Sequence, residues 1–181
     1  LKIFDISRVQ KGGAIFDQEK LNNINHYYIQ KLPDDKLFEL LDKYRGKIER
    51  GYFIKFISII KPRLKNFISV GEDLKWLEKS VDCSAEKLVF NKSTKELTIK
   101  ALNAILIELP KLAIYEVAKI RLMLEKIITD NNLTNGDVFW STRVALSGLE
   151  KSPPPEELAW VLGKDESLKR INLAIEKLKI Q

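Results

Sequence analysis

A chain of 181 residues with 45% apolar side chains, 31% charged ones, and few glycines and prolines can bury a sizeable core and is not disordered in composition. No apolar run approaches the roughly 18 residues of a membrane span, no signal-like apolar block follows Leu1-Lys2, and with Cys83 the single cysteine an internal disulfide is excluded. His26 is the single histidine, which leaves no Cys/His metal cluster, and the expected setting is the cytoplasm.

Taken in order, residues 1 to 16 carry a Gly12-Gly13 break, after which Asp17 is placed to cap a helix running to about Leu32. Leu21, Ile24, Tyr28 and Leu32 share its expected inward face, and Pro33 stops it. Asp34 and Asp35 open the next helix, whose Leu37, Leu40, Leu41 and Tyr44 lead to Gly46. A third helix starts near Gly51 with Phe53, Ile57 and Ile60 inward until Pro62. The spacing of Leu64, Phe67, Ile68, Gly71, Leu74 and Leu77 then predicts a long helix to about Lys79.

Periodicity is lost over 80 to 92, and the expected boundary between two helical subdomains, 1–90 and 91–181, falls there. Leu97, Ala101, Leu102, Ile105 and Leu109 define a helix ended by Pro110. Ile114, Val117, Ala118, Arg121, Leu124 and Ile128 define another, ended by Asn131-Asn132. A helix from Gly136 to Gly148, a proline corner, a helix from Glu156 to Leu162 and one through Leu168, Ile171, Ile175 and Leu178 complete the chain. The expected core of this half includes Ile105, Leu124, Phe139 and Trp160. No segment alternates convincingly except Lys87 to Phe90, so the fold class is all-α: two consecutive helical bundles, whose repeated helix-turn-helix geometry is compatible with a right-handed cage.

The net charge of +6 is concentrated. Between Lys43 and Lys65 eight basic residues face one acid, Glu49, so this stretch alone carries +7. Either a solvated basic face or a phosphate-tracking surface fits that pattern. Residues 136 to 163, GDVFWSTRVALSGLEKSPPPEELAWVLG, hold the second signal. Arg143 is a lone charge among Val138, Phe139, Val144, Ala145 and Leu146, so it needs either an internal carboxylate or an outside phosphate or base edge. Ser152 and Pro153 to Pro155 stiffen the backbone that follows and leave carbonyls and a hydroxyl for a partner.

The order of an aromatic pair, RVALSG, SPPP and ELAWVLGKDESLKRINLAIEKL resembles the C-terminal anticodon-binding region of bacterial-type glutamyl-tRNA synthetases. Ile15 to Ile29, IFDQEKLNNINHYYI, is similar to that family's F-D-x-E-K-L-x-x-x-N-x-x-Y-I helix, and Lys61-Pro62-Arg63-Leu64 is similar to its R-P-R segment. Three motifs in order over residues 15 to 178 cover nearly the whole chain. The resemblance implies the helical anticodon-binding cage of a class I aminoacyl-tRNA synthetase. It also implies a glutamate-specific tRNA as partner, a monomer, and an N-terminal catalytic domain on the same polypeptide using ATP and magnesium. The chain lacks an initiating methionine and opens at LKIFDISRV, so it is expected to be a piece of that longer protein, with no cofactor and no activity of its own.

By the same resemblance Arg63 reads the third anticodon base, a cytosine, while Arg143, Ser152 and Pro153 contact the first two. Pro155 joins them at a position where many relatives carry leucine. Arg45, Lys47, Arg50, Lys55, Lys61 and Lys65 are the expected contacts to the tRNA backbone, with Lys61 standing where arginine is usual. Trp76, Trp140 and Trp160 are either stacking platforms or packing residues, and an exposed member of Tyr44, Tyr52, Phe53 and Phe56 offers another platform. Neither signature of the ATP site is present. Lys11-Gly12-Gly13 lacks the ending of a phosphate loop, His26 reads as a surface or packing imidazole, and Asp34-Asp35 and Glu156-Glu157 read as first-turn dipole partners. The competing function is a helical protein-protein adaptor with an incidental basic surface.

Overall fold

The structure, a computed structural model, describes residues 12, 15–78 and 84–180, and every regular element among them is helical. The Gly12-Gly13 break, the helix end at Lys79, Cys83 and residues 80 to 83 of the expected boundary lie wholly or partly outside the described residues.

Helix α1, Gln18–Lys31, begins where the Asp17 carboxylate accepts from the amides of Glu19 and Lys20 at 2.9 and 3.0 Å. Its inward face differs from expectation. Ile29 is buried, whereas Leu21, Ile24 and Tyr28 face solvent and Leu32 is half-buried. The reason is polar docking: His26 Nδ1 donates to the Leu64 carbonyl at 3.0 Å and Gln30 Nε2 to the Lys61 carbonyl at 2.5 Å, which turns the side bearing His26, Ile29 and Gln30 inward. Helix α2, Asp34–Leu41, buries Leu37 and Leu41 but leaves Leu40 exposed. Helix α3, Arg50–Ile60, buries Phe53, Phe56, Ile57, Ile59 and Ile60 and passes into the tight turn Lys61–Arg63 at Pro62.

The long helix expected from Leu64 is absent. The Asn66 side chain accepts from the amides of Ile68 and Ser69 at 3.0 and 3.2 Å, a local turn that competes with helix. Helical geometry resumes only in α4, Val70–Asp73, and α5, Lys75–Glu78. Of the expected face only Leu64 and Leu74 are buried, Phe67 and Leu77 are half-buried and Ile68 faces solvent, while Val70 and Trp76 are buried in their place.

Beyond α6, Ala85–Leu88, helix α7, Lys95–Glu108, starts at Thr94, whose hydroxyl accepts from the Leu97 amide at 3.3 Å. Helix α8, Val117–Asn131, ends at Asn132 in the left-handed conformation, as its asparagine pair suggested. Its buried stripe is Ile120, Met123, Leu124 and Ile127, rotated from the expected one, and Ile114, Ala118 and Arg121 are exposed. Helix α9, Ser141–Ser147, terminates at Gly148 with φ 70, where the glycine amide bonds to the Val144 carbonyl at 2.8 Å. Helix α10, Pro155–Ile180, is broken at Gly163 (φ 77, ψ 169), which yields the two helical pieces read from the sequence. Of the expected core residues, Ile105 and Leu124 are fully buried, but Phe139 and Trp160 only pack partly against it.

Helix α10 packs against α3 as well as α7, α8 and α9, and the buried apolar residues form one continuous core from Ile29 to Leu178. Arg170 lies inside it at 5% exposure. Its Nη1 donates to the Trp76 carbonyl at 2.9 Å and the Leu146 carbonyl at 2.6 Å, and its Nε to Glu166 Oε1 at 2.8 Å. The two carbonyls belong to the last turns of α5 and α9, which have no helical partner of their own.

Replacing Arg170 by methionine would strand those two carbonyls and remove the ion pair to Glu166, and is expected to cost about 3 kcal/mol, measured by denaturant unfolding. Gly163→Ala should cost about 1 to 3 kcal/mol through the backbone alone, because this φ,ψ region is nearly closed to side-chain-bearing residues. A Cβ there would meet nothing within 4 Å, so a loss well under that range would mean the break relaxes into continuous helix.

Candidate nucleic-acid interface

The turn Lys61–Arg63 and the proline corner, about ninety residues apart in sequence, face one another. Ile60, Arg63, Leu64, Ser69, Lys151, Ser152 and Pro153 line a single cleft of about 270 Å³. Arg63 stands on a turn stiffened by Pro62. Its Nη2 donates to both oxygens of Glu157, at 2.7 and 2.6 Å, tying the end of α3 to the first turn of α10. Sequence reading gave Glu157 only a dipole role. Its neighbour Glu156 is buried and takes Arg121 Nη1 at 3.1 Å, so the adjacent pair reaches two arginines from different elements. The available signal was two successive carboxylates on a helix: side chains one residue apart point about 100° apart and can serve different neighbours.

Arg143 is half-buried in α9 between buried Thr142 and Val144. No carboxylate pairs with it among the described residues; its Nη1 lies 3.5 Å from the Glu150 carbonyl and its Nε is buried without a hydrogen bond. The internal ion pair offered as one explanation of this arginine is therefore absent, and the buried, paired arginine is Arg170 instead. The Ser147 hydroxyl lies 2.8 Å from the Arg143 carbonyl and 3.1 Å from Ser152 Oγ, which joins α9 to the corner. Pro155, a candidate base contact, is buried at the start of α10.

The wide turn Gly136–Trp140 leading into α9 is fixed by a reciprocal cap. The Thr134 amide and hydroxyl each donate to Asp137 Oδ2 at 2.7 Å, and the Asp137 amide returns a bond to Thr134 Oγ1 at 3.3 Å. The Ser93 hydroxyl donates to the other carboxylate oxygen. Burial opposes ionisation of Asp137, but the donors from Ser93 and Thr134 outweigh it and hold its pKa below the usual carboxylate value.

The expected backbone-contact residues divide. Lys61 is engaged internally by the Leu32 carbonyl at 2.8 Å and Asp34 at 2.5 Å, and Arg45 by Asp42 at 2.8 Å and the Ile48 carbonyl at 2.9 Å. Arg50 sits 5.1 Å from the Phe38 ring centre and Lys55 5.3 Å from that of Trp160. Lys47 and Lys65 are exposed and form no ion pair among the described residues. Trp76, Phe53 and Phe56 are core residues. Trp140 packs on Phe90 and donates to the Lys87 carbonyl at 2.9 Å, while Tyr52 is exposed. Among the described residues no group of three or more His, Cys, Asp or Glu side chains is placed to hold a metal ion, and no helix is long and apolar enough to cross a membrane.

A family model described as an anticodon binding domain matches residues 36–175, more than two thirds of the chain. The chain belongs to the anticodon binding domain family. Among its relatives, a glutamate–tRNA ligase of Lachnoclostridium phytofermentans is 30% identical over 180 residues, covering 97% of this chain and 37% of the relative. One of Clostridium acetobutylicum is 31% identical over 185 residues, covering 99% of this chain and 38% of the relative. The crystal structure of a glutamate tRNA ligase from Elizabethkingia meningosepticum, in complex with its amino acid, superposes with a TM-score of 0.74 at 26% identity, over 97% of this chain and 35% of that one. This anticodon binding domain thus spans under two fifths of the curated relatives it matches.

Because the Asp137 pKa is lowered on folding, the stability it contributes is fully present above the unfolded value of about 3.9 and is lost as pH falls through the lower folded value. Asp137→Asn is therefore expected to lower stability by about 1 to 2 kcal/mol at pH 7, with the gap from the parent closing below about pH 4. Unfolding midpoints of both proteins across pH 3 to 7 test this; a gap independent of pH would remove the carboxylate from the account.

Proposed function

We propose that this chain is the anticodon-binding part of a glutamate–tRNA ligase: it recognises glutamate tRNA, while a catalytic domain of the same polypeptide performs ATP- and magnesium-dependent glutamylation. The observation that carries this reading is the convergence of Arg63, Ser152 and Pro153 on one cleft, with Arg143 joined to it through Ser147. These are the residues that the family resemblance marks, and they come from segments 80 to 90 residues apart in sequence. On this reading residues 1–90 and 91–181 are the two helical bundles of the cage, with the cleft at their junction.

The roles follow from donor geometry. Arg63 and Arg143 offer only N–H donors, which suit the acceptor edge of an unstacked pyrimidine. Ser152 and the carbonyls of the proline corner supply the complementary acceptors, and Pro155 supports the corner from beneath. Lys47 and Lys65, which form no ion pair among the described residues, contact the RNA backbone first. Arg50 and Lys55 reach it from their aromatic seats, and Arg45 and Lys61 hold the basic stretch in shape while adding charge. The exposed apolar face of α1, with Ile24, Tyr27 and Tyr28, favours a protein contact as well. In this reading its partner is the catalytic domain rather than an unrelated protein, and binding of the chain to RNA separates the two classes by its salt dependence.

Arg63→Gln is expected to weaken binding of glutamate tRNA by about 1 to 3 kcal/mol and to narrow the preference over a tRNA with guanine at the third anticodon position. Lys65→Gln should weaken both tRNAs equally and make the salt slope shallower by about one. Titrations of both variants with both tRNAs at two salt concentrations check these outcomes. Equal affinity of the unaltered chain for glutamate tRNA and an unrelated tRNA would overturn the proposed specificity.

A further inference from the structure

We infer that Glu157 is a specificity-determining residue, which sets the Arg63 guanidinium in place and keeps it from acting as a general phosphate contact. The inference rests on the reading that Arg63 faces the third anticodon base. Glu157 takes both of its hydrogen bonds from one nitrogen, Nη2, at 2.7 and 2.6 Å. Nη1 and Nε have no partner among the described residues, so the pair consumes one end of the guanidinium and presents the other.

The two partners are not equivalent. The Glu157 side chain is 19% exposed and that of Arg63 46%, so the carboxylate is the fixed support and the guanidinium the presented group. Glu157 is held by α10, whose first turn also buries Pro155 and Glu156 and bonds the Glu157 amide to the Pro154 carbonyl at 3.1 Å. Pro62 holds Arg63 from the other side. A planar group clamped at one end and rooted in a stiff turn at the other has little rotational freedom, which is the condition for reading a base edge rather than following a mobile phosphate.

Chemistry sets the direction of the selection. The remaining Nη1 is donor-only, so on the Watson–Crick edge of an unstacked base it matches the O2 and N3 acceptors of cytosine and meets the N1–H and N2–H₂ donors at the corresponding positions of guanine. A free arginine escapes that mismatch by swinging to a phosphate oxygen. Glu157 closes this route twice, by holding the side chain and by placing a negative charge where a phosphate would come. The residue thus acts against the wrong partner as much as for the right one.

The test uses the 181-residue chain and two anticodon stem-loop RNAs that differ only in carrying cytosine or guanine at the third anticodon position. Glu157→Gln is expected to reduce the preference for cytosine about tenfold, chiefly by tightening the guanine RNA, and to steepen the salt slope by about one. Arg63→Gln should abolish the preference, and the double variant should behave as Arg63→Gln alone. Arg63→Lys keeps the ion pair but loses the planar fork, so it should lose the preference with its salt slope unchanged; it also provides an arm that leaves α10 untouched. If Arg63→Gln abolishes the preference and Glu157→Gln leaves preference and salt slope intact, Glu157 is a structural partner only and the inference fails. If Arg63→Gln itself leaves the preference intact, the underlying assignment of Arg63 fails and this inference falls with it.

Discussion

A guanidinium inside an apolar core has to be satisfied completely, and the way Arg170 meets that demand governs how the chain assembles. Its donors reach carbonyls at the ends of α5 and α9 and a carboxylate on its own helix. Each of those carbonyls would otherwise be buried or left to water at a helix end. One side chain therefore fixes the first half of the chain and the stretch leading to the proline corner against α10. The position of the corner relative to the turn at Pro62, and hence the cleft between them, follows from that constraint.

The ion pairs at the other end of α10 complete the frame. Glu156 meets Arg121 from α8 and Glu157 meets Arg63 from the turn after α3, so the first helical turn is held from two directions. A half-exposed pair such as Arg63 and Glu157 contributes little to stability by itself. Its effect is geometric, because the backbone on either side is already stiffened by prolines and buried contacts. The placement of Arg63 and the stability of the frame thus depend on different residues of the same helix.

Helix existence and most helix ends were legible in the sequence because capping and breaking residues act locally: Asp17, Pro33, Pro110, Asn132 and Gly148 all mark real boundaries, and the helix expected to end at Leu162 breaks at Gly163. The stretch from Leu64 to Leu77 was misread because its apolar spacing also suits an irregular segment, and the deciding bonds come from the Asn66 side chain. On α1 and α8 the buried stripe was misplaced, since which edge of a weakly apolar helix turns inward depends on what it docks against. Arg63, Arg143, Ser152 and Pro153 were singled out by motif, but a partner 94 residues away, as Glu157 is from Arg63, leaves no trace in local spacing. The burial of Arg170 was equally silent, as it occupies an ordinary position in a charged helix.

The seat of Lys55 on Trp160 has an optical consequence. Trp76 is buried in the core and Trp140 is pinned by its bond to the Lys87 carbonyl, whereas Trp160 is half-buried beneath a cation and less than one helical turn beyond Glu157. An ammonium close to an indole ring shifts its emission, and a phosphate that drew Lys55 away would relieve that shift in one tryptophan while the other two stayed constant. The chain carries a native fluorophore less than one helical turn from the carboxylate that holds Arg63, and displacement of Lys55 from it can be followed by ultraviolet emission without attaching a dye.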